Sequence, residues 1–415
     1  MVGSSSAAPT SSFRQVFVMV AGLTVFGAIS IDMYLPAFPQ LADDFGATAS
    51  QVQLTLTAFF VGFAAGQLVA GPISDVIGRR RPLLAGIAGY VAASVACAFA
   101  GSIETLVVLR SLQGFFGAAG VVLARAIVRD FFSGVLAAKL LSRLMIIAGV
   151  SPILAPLIGG AILRVVSWRG IFVALSVIGV ALLVKAARGL RESLPPERRR
   201  GGGLRMLGSG ARILLSDGVF LGYGLGTGCN SAALFAFIAG ASFCLQDIYG
   251  LSPAQFSLAF AAIVCLFVGV AQVNAAMVGR VPLRRMLGIG NAVAFAASAA
   301  FLATVLIGGL GLAVFMVCAM LLVAPVGVIS SNALALAMTD YPELAGTASA
   351  LIGVIGFASG AIAAPIVGIA GRHTAVPMAL TIFVLEASAF FALTLLARPR
   401  SVVPVGVEEA PAPSG

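Results

Sequence analysis

Gly71-Pro72-Ile73-Ser74-Asp75-Val76-Ile77-Gly78-Arg79-Arg80-Arg81-Pro82-Leu83 is a compact charged turn set between two apolar runs. Glycine lets two helix ends approach closely and turn sharply. Asp75 is suited to accept backbone N–H bonds at a neighbouring helix N-terminus, where negative charge is favoured. Arg79, Arg80 and Arg81 mark a water-facing loop. Outward from this turn the chain stays apolar: its 415 residues are 60% hydrophobic and only 10% charged, where soluble domains run about 25% charged. Mean hydropathy is +1.09.

A helix needs about 20 apolar residues to cross a bilayer. Runs of that kind lie near 15–36, 51–73, 82–101, 104–126, 141–163, 167–187, 217–240, 254–277, 286–307, 310–336, 345–370 and 375–397. The expected fold class is an all-α polytopic membrane protein. The weakest boundary is the ninth-to-tenth, which rests on Gly308-Gly309-Leu310-Gly311. The one long polar stretch, 188–216, holds Pro195-Pro196, Arg198–Arg200 and Gly201–Gly203. It reads as a basic linker between two six-helix halves, 15–187 and 217–397. Residues 1–14 and 398–415 form cytoplasmic tails, the second expected to be disordered for want of large apolar residues. The first run is too long for a cleaved signal peptide and reads as a retained helix.

Loop charge gives orientation. With the N-terminus inside, every Lys and Arg falls on the cytoplasmic face except Arg164, Arg169 and Arg372 outside and Arg110 within a span. That asymmetry follows the positive-inside rule and puts both termini in the cytoplasm. It also explains the net charge of +10 by topology and lipid contact, with no nucleic-acid partner. Cys97, Cys229, Cys244, Cys265 and Cys318 show no C-x-x-C spacing, and His373 is the single histidine. No disulfide framework, metal site or Ser-His chemistry is expected.

The halves echo each other. Phe45-Gly46 with Gln51 is answered by Tyr249-Gly250 with Gln255, and Ala155-Pro156-Leu157-Ile158-Gly159 by Ala364-Pro365-Ile366-Val367-Gly368. Parallel repeats of six spans, with a site between them at mid-membrane, describe a rocking secondary transporter.

Two ionisable residues stand out within spans. A charge in hydrocarbon costs about 2.5–3.5 kcal/mol by insertion scales, so Asp32 and Arg110 are functional candidates. Each lies a few residues from the outer end of its span, at similar depth on a rise of about 1.5 Å per residue. Arg110 is therefore expected as the electrostatic neighbour of a proton-binding Asp32 across a cavity. Arg110 and Gln113 share a helix face. Glu386, in the middle of the twelfth span, reads as a second proton site or a substrate-cation partner, or equally as a packed, protonated side chain or a misplaced span boundary. Asn230, Asn274 and Ser330-Ser331-Asn332 are candidates for the cavity wall or for interhelical hydrogen bonds. Phe38, Phe235 and Phe237 would suit an apolar ligand surface.

Several blocks carry a family resemblance. The opening turn resembles the G-x-L-A-D-x-x-G-R-[KR]-x-x-L loop of the major facilitator superfamily, with Val76 where a basic residue is usual. Leu109-Arg110-Ser111-Leu112-Gln113-Gly114 with Gly117 resembles that superfamily's span-four motif. Gly149-Val150-Ser151-Pro152-Ile153-Leu154-Ala155-Pro156-Leu157-Ile158-Gly159-Gly160 is similar to its span-five antiporter motif, with Ala155 replacing glycine. Asp32-Met33-Tyr34-Leu35-Pro36-Ala37-Phe38-Pro39, with Trp168-Arg169, strongly resembles the bicyclomycin/chloramphenicol-resistance subfamily of twelve-span drug/proton antiporters. Thr24 stands where some related exporters carry another acid.

The resemblance implies the superfamily fold and proton-coupled efflux of small amphiphilic drugs or antibiotics across the inner membrane, by a monomer without cofactor. Its partners would be a drug, protons and the lipid bilayer. It implies coupling at Asp32 and Arg110, a cavity with Tyr34, Gln113, Asn230, Phe235 and Asn332, and gating through Gly71, Asp75, Gly78, Arg79, Arg80, Asp130, Pro152, Pro156, Gly159 and Gly160. Asp75, Arg79 and Asp130 would form a relay holding the halves shut on the cytoplasmic side. A proton-coupled symporter is the alternative; no phosphate-binding loop suggests ATP use, and an enzyme lacks catalytic residue types.

Overall fold

The computed structural model describes residues 10–132, 134–199, 203–308, 311–339 and 341–397. Among them are twelve helices long and apolar enough to cross a membrane. These are α1 (Val16–Phe45), α2 (Ala49–Ile77), α3 (Arg80–Ala98), α4 (Ile103–Phe131), α5 (Lys139–Ile162), α6 (Arg169–Gly189), α7 (Gly218–Ile248), α8 (Pro253–Met277), α9 (Leu283–Ile307), α10 (Leu312–Thr339), α11 (Gly346–Val367) and α12 (Val376–Leu396). Each coincides with one expected run, and several extend a turn or two beyond it. The α9–α10 boundary falls at the expected glycines. The tail residues 1–9 and 398–415 lie outside the described residues, and with them the expectation of a disordered tail.

The odd-numbered helices run away from the face that carries the Arg79–Arg81 turn and the linker, here the linker face; the even-numbered ones return from the opposite, far face. The linker holds more structure than its polar composition suggests. A helix spans Gly203–Leu215, with Leu214 fully buried and Gly210 lying against Leu344 and Thr347. Four residues apart, these two share the face turned to the bundle.

Within a half, helices pack closely through small residues, as they do where lipid supplies no hydrophobic drive between them. Gly62 and Gly66 of α2 rest on the backbone of α4 at Ser111 and Phe115, and Gly114 of α4 rests on Phe59. A side chain at any of the three would push the helices apart.

The internal repeat is visible in atomic detail. Gly46 and Gly250 both take positive φ, 59° and 69°, closing the helices that precede α2 and α8. Each is followed by a capping box, Thr48 with Gln51 and Ser252 with Gln255. In both, the glutamine side chain reaches back to the cap residue's N–H while the cap hydroxyl accepts from the glutamine N–H, satisfying two donors that a helix start leaves free.

The hydrogen bonds that join the halves gather toward the far face. Ser50 Oγ donates to the Pro365 carbonyl at 2.9 Å and Ser257 Oγ to the Pro156 carbonyl at 2.7 Å. These two bonds pair α2 with α11 and α8 with α5, the same arrangement twice over. Gln53 Nε2 reaches the Ala239 carbonyl at 3.1 Å, and Arg372 binds Asp43 at 2.7 Å. The halves are thus sealed at the far face.

Candidate functional site

The site is a break in α1. Its regular helix ends at Asp32, a 3-10 turn covers Leu35–Ala37, and helix resumes at Phe38. Pro36 and Pro39 dictate this, because proline has no N–H to give the carbonyl four residues back. The break frees carbonyl oxygens that other side chains then take. Tyr34 N–H turns to Ile31 O, and the Ser30 carbonyl accepts from Arg110 Nη1 at 3.2 Å. The Leu35 carbonyl, which takes the Phe38 N–H in place of the one Pro39 lacks, also accepts from Ser242 Oγ at 2.7 Å, and the Pro36 carbonyl accepts from Gln246 Nε2 at 3.2 Å. Both donors belong to α7, so the broken segment is gripped across the seam.

Met33 is the other point of grip. A Cβ on Gly159 would overlap the Met33 carbonyl, and one on Gly160 would come within 3.0 Å of the Pro253 carbonyl. Gly159 and Gly160 are therefore the points where α5 touches α1 and α8 at backbone distance. Pro156 stands one turn earlier and supplies the carbonyl that Ser257 binds. Pro152 lies within the same helix.

Arg110 is wholly buried. Its Nη1 also donates to Gln113 Oε1 at 2.5 Å, and its guanidinium lies 4.4 Å from the Phe59 ring centre, 4.6 Å from that of Tyr34 and 5.9 Å from that of Phe172. Cation–π attraction of this kind strengthens out of water. Gln113 passes the network on, donating to Ser94 Oγ at 2.7 Å. Tyr90 OH shares a 2.6 Å bond with Ser30 Oγ, and Tyr34 OH a 3.0 Å bond with Thr55 Oγ1. Ser30, Thr55, Tyr90 and Ser94 thus complete a polar cluster around α1, α2, α3 and α4. Nothing in a lone serine or tyrosine of an apolar run singles it out, so the sequence reading missed them.

The depth expected for Arg110 is correct, since it touches the chain two residues before Asp32. The pairing is not. No ion pair within 4 Å joins Asp32 to Arg110 among the described residues; a carbonyl, an amide and three rings hold the guanidinium instead. Asp32, 6% exposed, stands at the break without a hydrogen-bonded or ionic partner among the described residues.

The cavity candidates divide. Tyr34 and Gln113 belong to the Arg110 cage. Phe235 packs against Phe60 at 4.3 Å and Phe357 at 5.6 Å between ring centres, an aromatic group that joins the two halves. Asn230 donates to Glu386 at 3.0 Å and Asn332 to Asn274 at 2.8 Å, so both amides are held by neighbours in their own half.

The charged turn also departs from expectation. Arg79 binds Asp75 at 2.6 Å, Asp130 at 3.0 Å and Ser74 at 2.6 Å, so the three relay residues do meet. Their other partners belong to the linker, where Ser193 Oγ donates to Asp130 at 2.9 Å, and among the described residues none lies in the second half. Asp75 does not cap a helix either. Glu192 of the linker does so, accepting from the N–H groups of Arg79 and Arg80 at the start of α3 at 2.7 and 3.2 Å. Gly78 makes room: its φ of 97° suits glycine alone, and a Cβ there would lie 2.5 Å from Glu192 Oε2. Burial works against the Glu192 anion, yet backbone bonds from Leu194, Arg79 and Arg80, with the Arg199 charge, hold its carboxyl below the ordinary range. Arg80 reaches the other way, donating to Ala187 and Leu190 carbonyls at 2.9 Å, where a helix end welcomes a cation. Gly71 lies beside Val122 with ordinary contact.

A sequence profile of the Major Facilitator Superfamily matches residues 20–365. The chain belongs to that superfamily. It is a membrane transporter and not an enzyme. It is 40% identical over 396 residues to the uncharacterized MFS-type transporter YdgK of Bacillus subtilis (strain 168), covering 93% of this chain and 97% of that protein. It is 33% identical over 383 residues to the bicyclomycin resistance protein homolog of Haemophilus influenzae, covering 91% and 96%. Among solved structures, a bacterial homolog of the human lysosomal transporter Spinster, inward-facing and unoccupied, superposes with TM-score 0.72 over 94% of this chain and 95% of that one. At 15% identity that likeness speaks for the fold alone.

Proposed function

We propose that this superfamily member exports small amphiphilic drugs or antibiotics from the cytoplasm in exchange for protons, across the inner membrane, as a monomer driven by the proton gradient with no cofactor. The observation that carries the reading is Asp32, a buried carboxylate without an ionic partner among the described residues, placed in the broken stretch of α1 that α5 and α7 grip to close the far face. The relation to a bicyclomycin resistance homolog along nearly its whole length supports drugs as the cargo class.

In this reading the linker face is cytoplasmic, as its arginines require under the positive-inside rule, and the closed far face makes the present conformation the one that loads drug from the cytoplasm. Opening the far face pulls Ser242 and Gln246 from the Leu35 and Pro36 carbonyls and exposes Asp32 to outside water. Asp32 there takes a proton, which favours release of drug. Reclosure returns it to the inside, where proton release readies the site for the next drug. A ligand shifts such an equilibrium only by binding one state better than the other, and the proton and the drug do so in opposite senses.

Everted vesicles with an acid interior test this. Accumulation of chloramphenicol or another drug of a resistance panel, abolished by a protonophore, is the expected result. Uptake confined to right-side-out vesicles would replace export by import.

A further inference from the structure

Away from the seam, α7 and α12 hide a second carboxyl. Glu386 is 1% exposed and Asn230 is fully buried. Asn230 Nδ2 donates to Glu386 Oε1 at 3.0 Å. The remaining oxygen of each group, Asn230 Oδ1 and Glu386 Oε2, is buried without any partner. Two acceptors on one hydrogen-bonded pair, each lacking a donor, are what a carboxyl–carboxamide pair looks like when one hydrogen is left out. An ionised carboxylate offers only acceptors, whereas a protonated one adds a single O–H donor. Burying an unpaired acceptor costs about 1–3 kcal/mol, and more for a charged group.

We propose that Glu386 is a resident proton-binding site: its carboxyl is protonated at neutral pH, and Oε2–H donates to Asn230 Oδ1 while Asn230 Nδ2 donates to Oε1. Two parallel hydrogen bonds then tie the peripheral α12 to α7, the helix whose Ser242 and Gln246 hold the far face. No Lys or Arg pairs with Glu386 among the described residues. The titratable side chains on the helices packed against α12 are Tyr223, Cys229, Cys244 and Asp247 of α7 and Arg284 and Arg285 at the start of α9. Cys229 is next in chain to Asn230. Buried away from the seam, this proton serves to hold two helices and is not the one exchanged for drug. The inference stands or falls apart from drug export.

Glu386→Gln is the discriminating variant, because glutamine supplies the same acceptor and a donor in place of O–H. Infrared difference spectra of wild type minus E386Q at pH 7 are expected to show the carbonyl stretch of a protonated carboxyl. Carboxylate stretches in its place would overturn the proposal. The thermal midpoint of E386Q in detergent is expected to match wild type, while Asn230→Leu, which removes both bonds, lowers it by several degrees. An E386Q chain that fails to insert, or that melts as low as N230L, would show that the anion is what the fold requires and would equally overturn it.

Discussion

At the scale of single residues, this chain holds its costly charges by three different means. Arg110 gives its Nη1 to a freed carbonyl and an amide and lies among three rings, its Nε and Nη2 finding no acceptor among the described residues. Lysine in its place keeps the charge but loses the planar fork that stacks and donates at once. Arg110→Lys is expected to lose about 1–2 kcal/mol of stability, read as a lower thermal midpoint in detergent; an unchanged midpoint would mean the rings do not hold the guanidinium. Asp32 is left bare at a helix break. Asp32→Asn is expected to insert normally and lose proton-linked export, and a mutant that moves a neutral drug at the wild-type rate with wild-type pH dependence would remove Asp32 from the mechanism. Glu192 is held by backbone N–H groups at a helix start. Its carboxyl is depressed below the ordinary 4.5, so its stabilisation is complete above that value and fades as pH falls through the lower folded value. Glu192→Gln is therefore expected to lower the midpoint at pH 7, with the gap to wild type closing under acid. A gap that stays constant down to pH 3 would show that charge is not what Glu192 contributes.

At the scale of elements, the twelve spans were legible because hydrocarbon thickness fixes helix length and leaves little else to decide. The charged turn and the Pro-Gly helix α5 were legible as well, since each depends on glycine or proline at set positions. What the sequence left open was partnership. Arg79, Asp75 and Asp130 meet as expected, but the helix cap fell to Glu192, 113 residues from Arg79, and no local pattern joins the two. Likewise Arg110 finds Ser30, whose carbonyl is free only because α1 breaks two residues later. The break is thus the element on which the site depends, and α5 is its mould. Gly159→Val would drive a branched side chain into the Met33 carbonyl. It is expected to prop the far face open and reduce export at least tenfold, a barrier of about 1.4 kcal/mol or more. Spin labels at Ala47 and Leu251, one in each half, placed in a background free of the five native cysteines, would report a longer distance distribution. A distribution identical to that of the unmutated background would show that the glycine contact does not set closure.

At the scale of the whole molecule, the duplication makes the seal nearly two-fold. Ser50 on the Pro365 carbonyl mirrors Ser257 on the Pro156 carbonyl, so the two helix pairs bear on the seam alike. The charged contacts break that symmetry. Arg372, from the loop before α12, binds Asp43 of the first half at 2.7 Å and lies 3.9 Å from Asp247 of its own half; Arg169, at the start of α6, repeats the second contact with Asp44 at 3.9 Å, but among the described residues it makes no ion pair across the seam. An exposed pair is worth only about 0.5 kcal/mol. It therefore trims the balance between closed and open far faces and does not fix it. Arg372→Gln is expected to raise the open-to-closed ratio about twofold, to do so less at high salt, where screening has already weakened the pair, and to leave the thermal midpoint within a degree of wild type. The same label pair at Ala47 and Leu251 reads the ratio directly. If R372Q shifts it tenfold, the far face is held by charge and not by the paired proline carbonyls; if the ratio does not move at low salt, the arginine plays no part in closure.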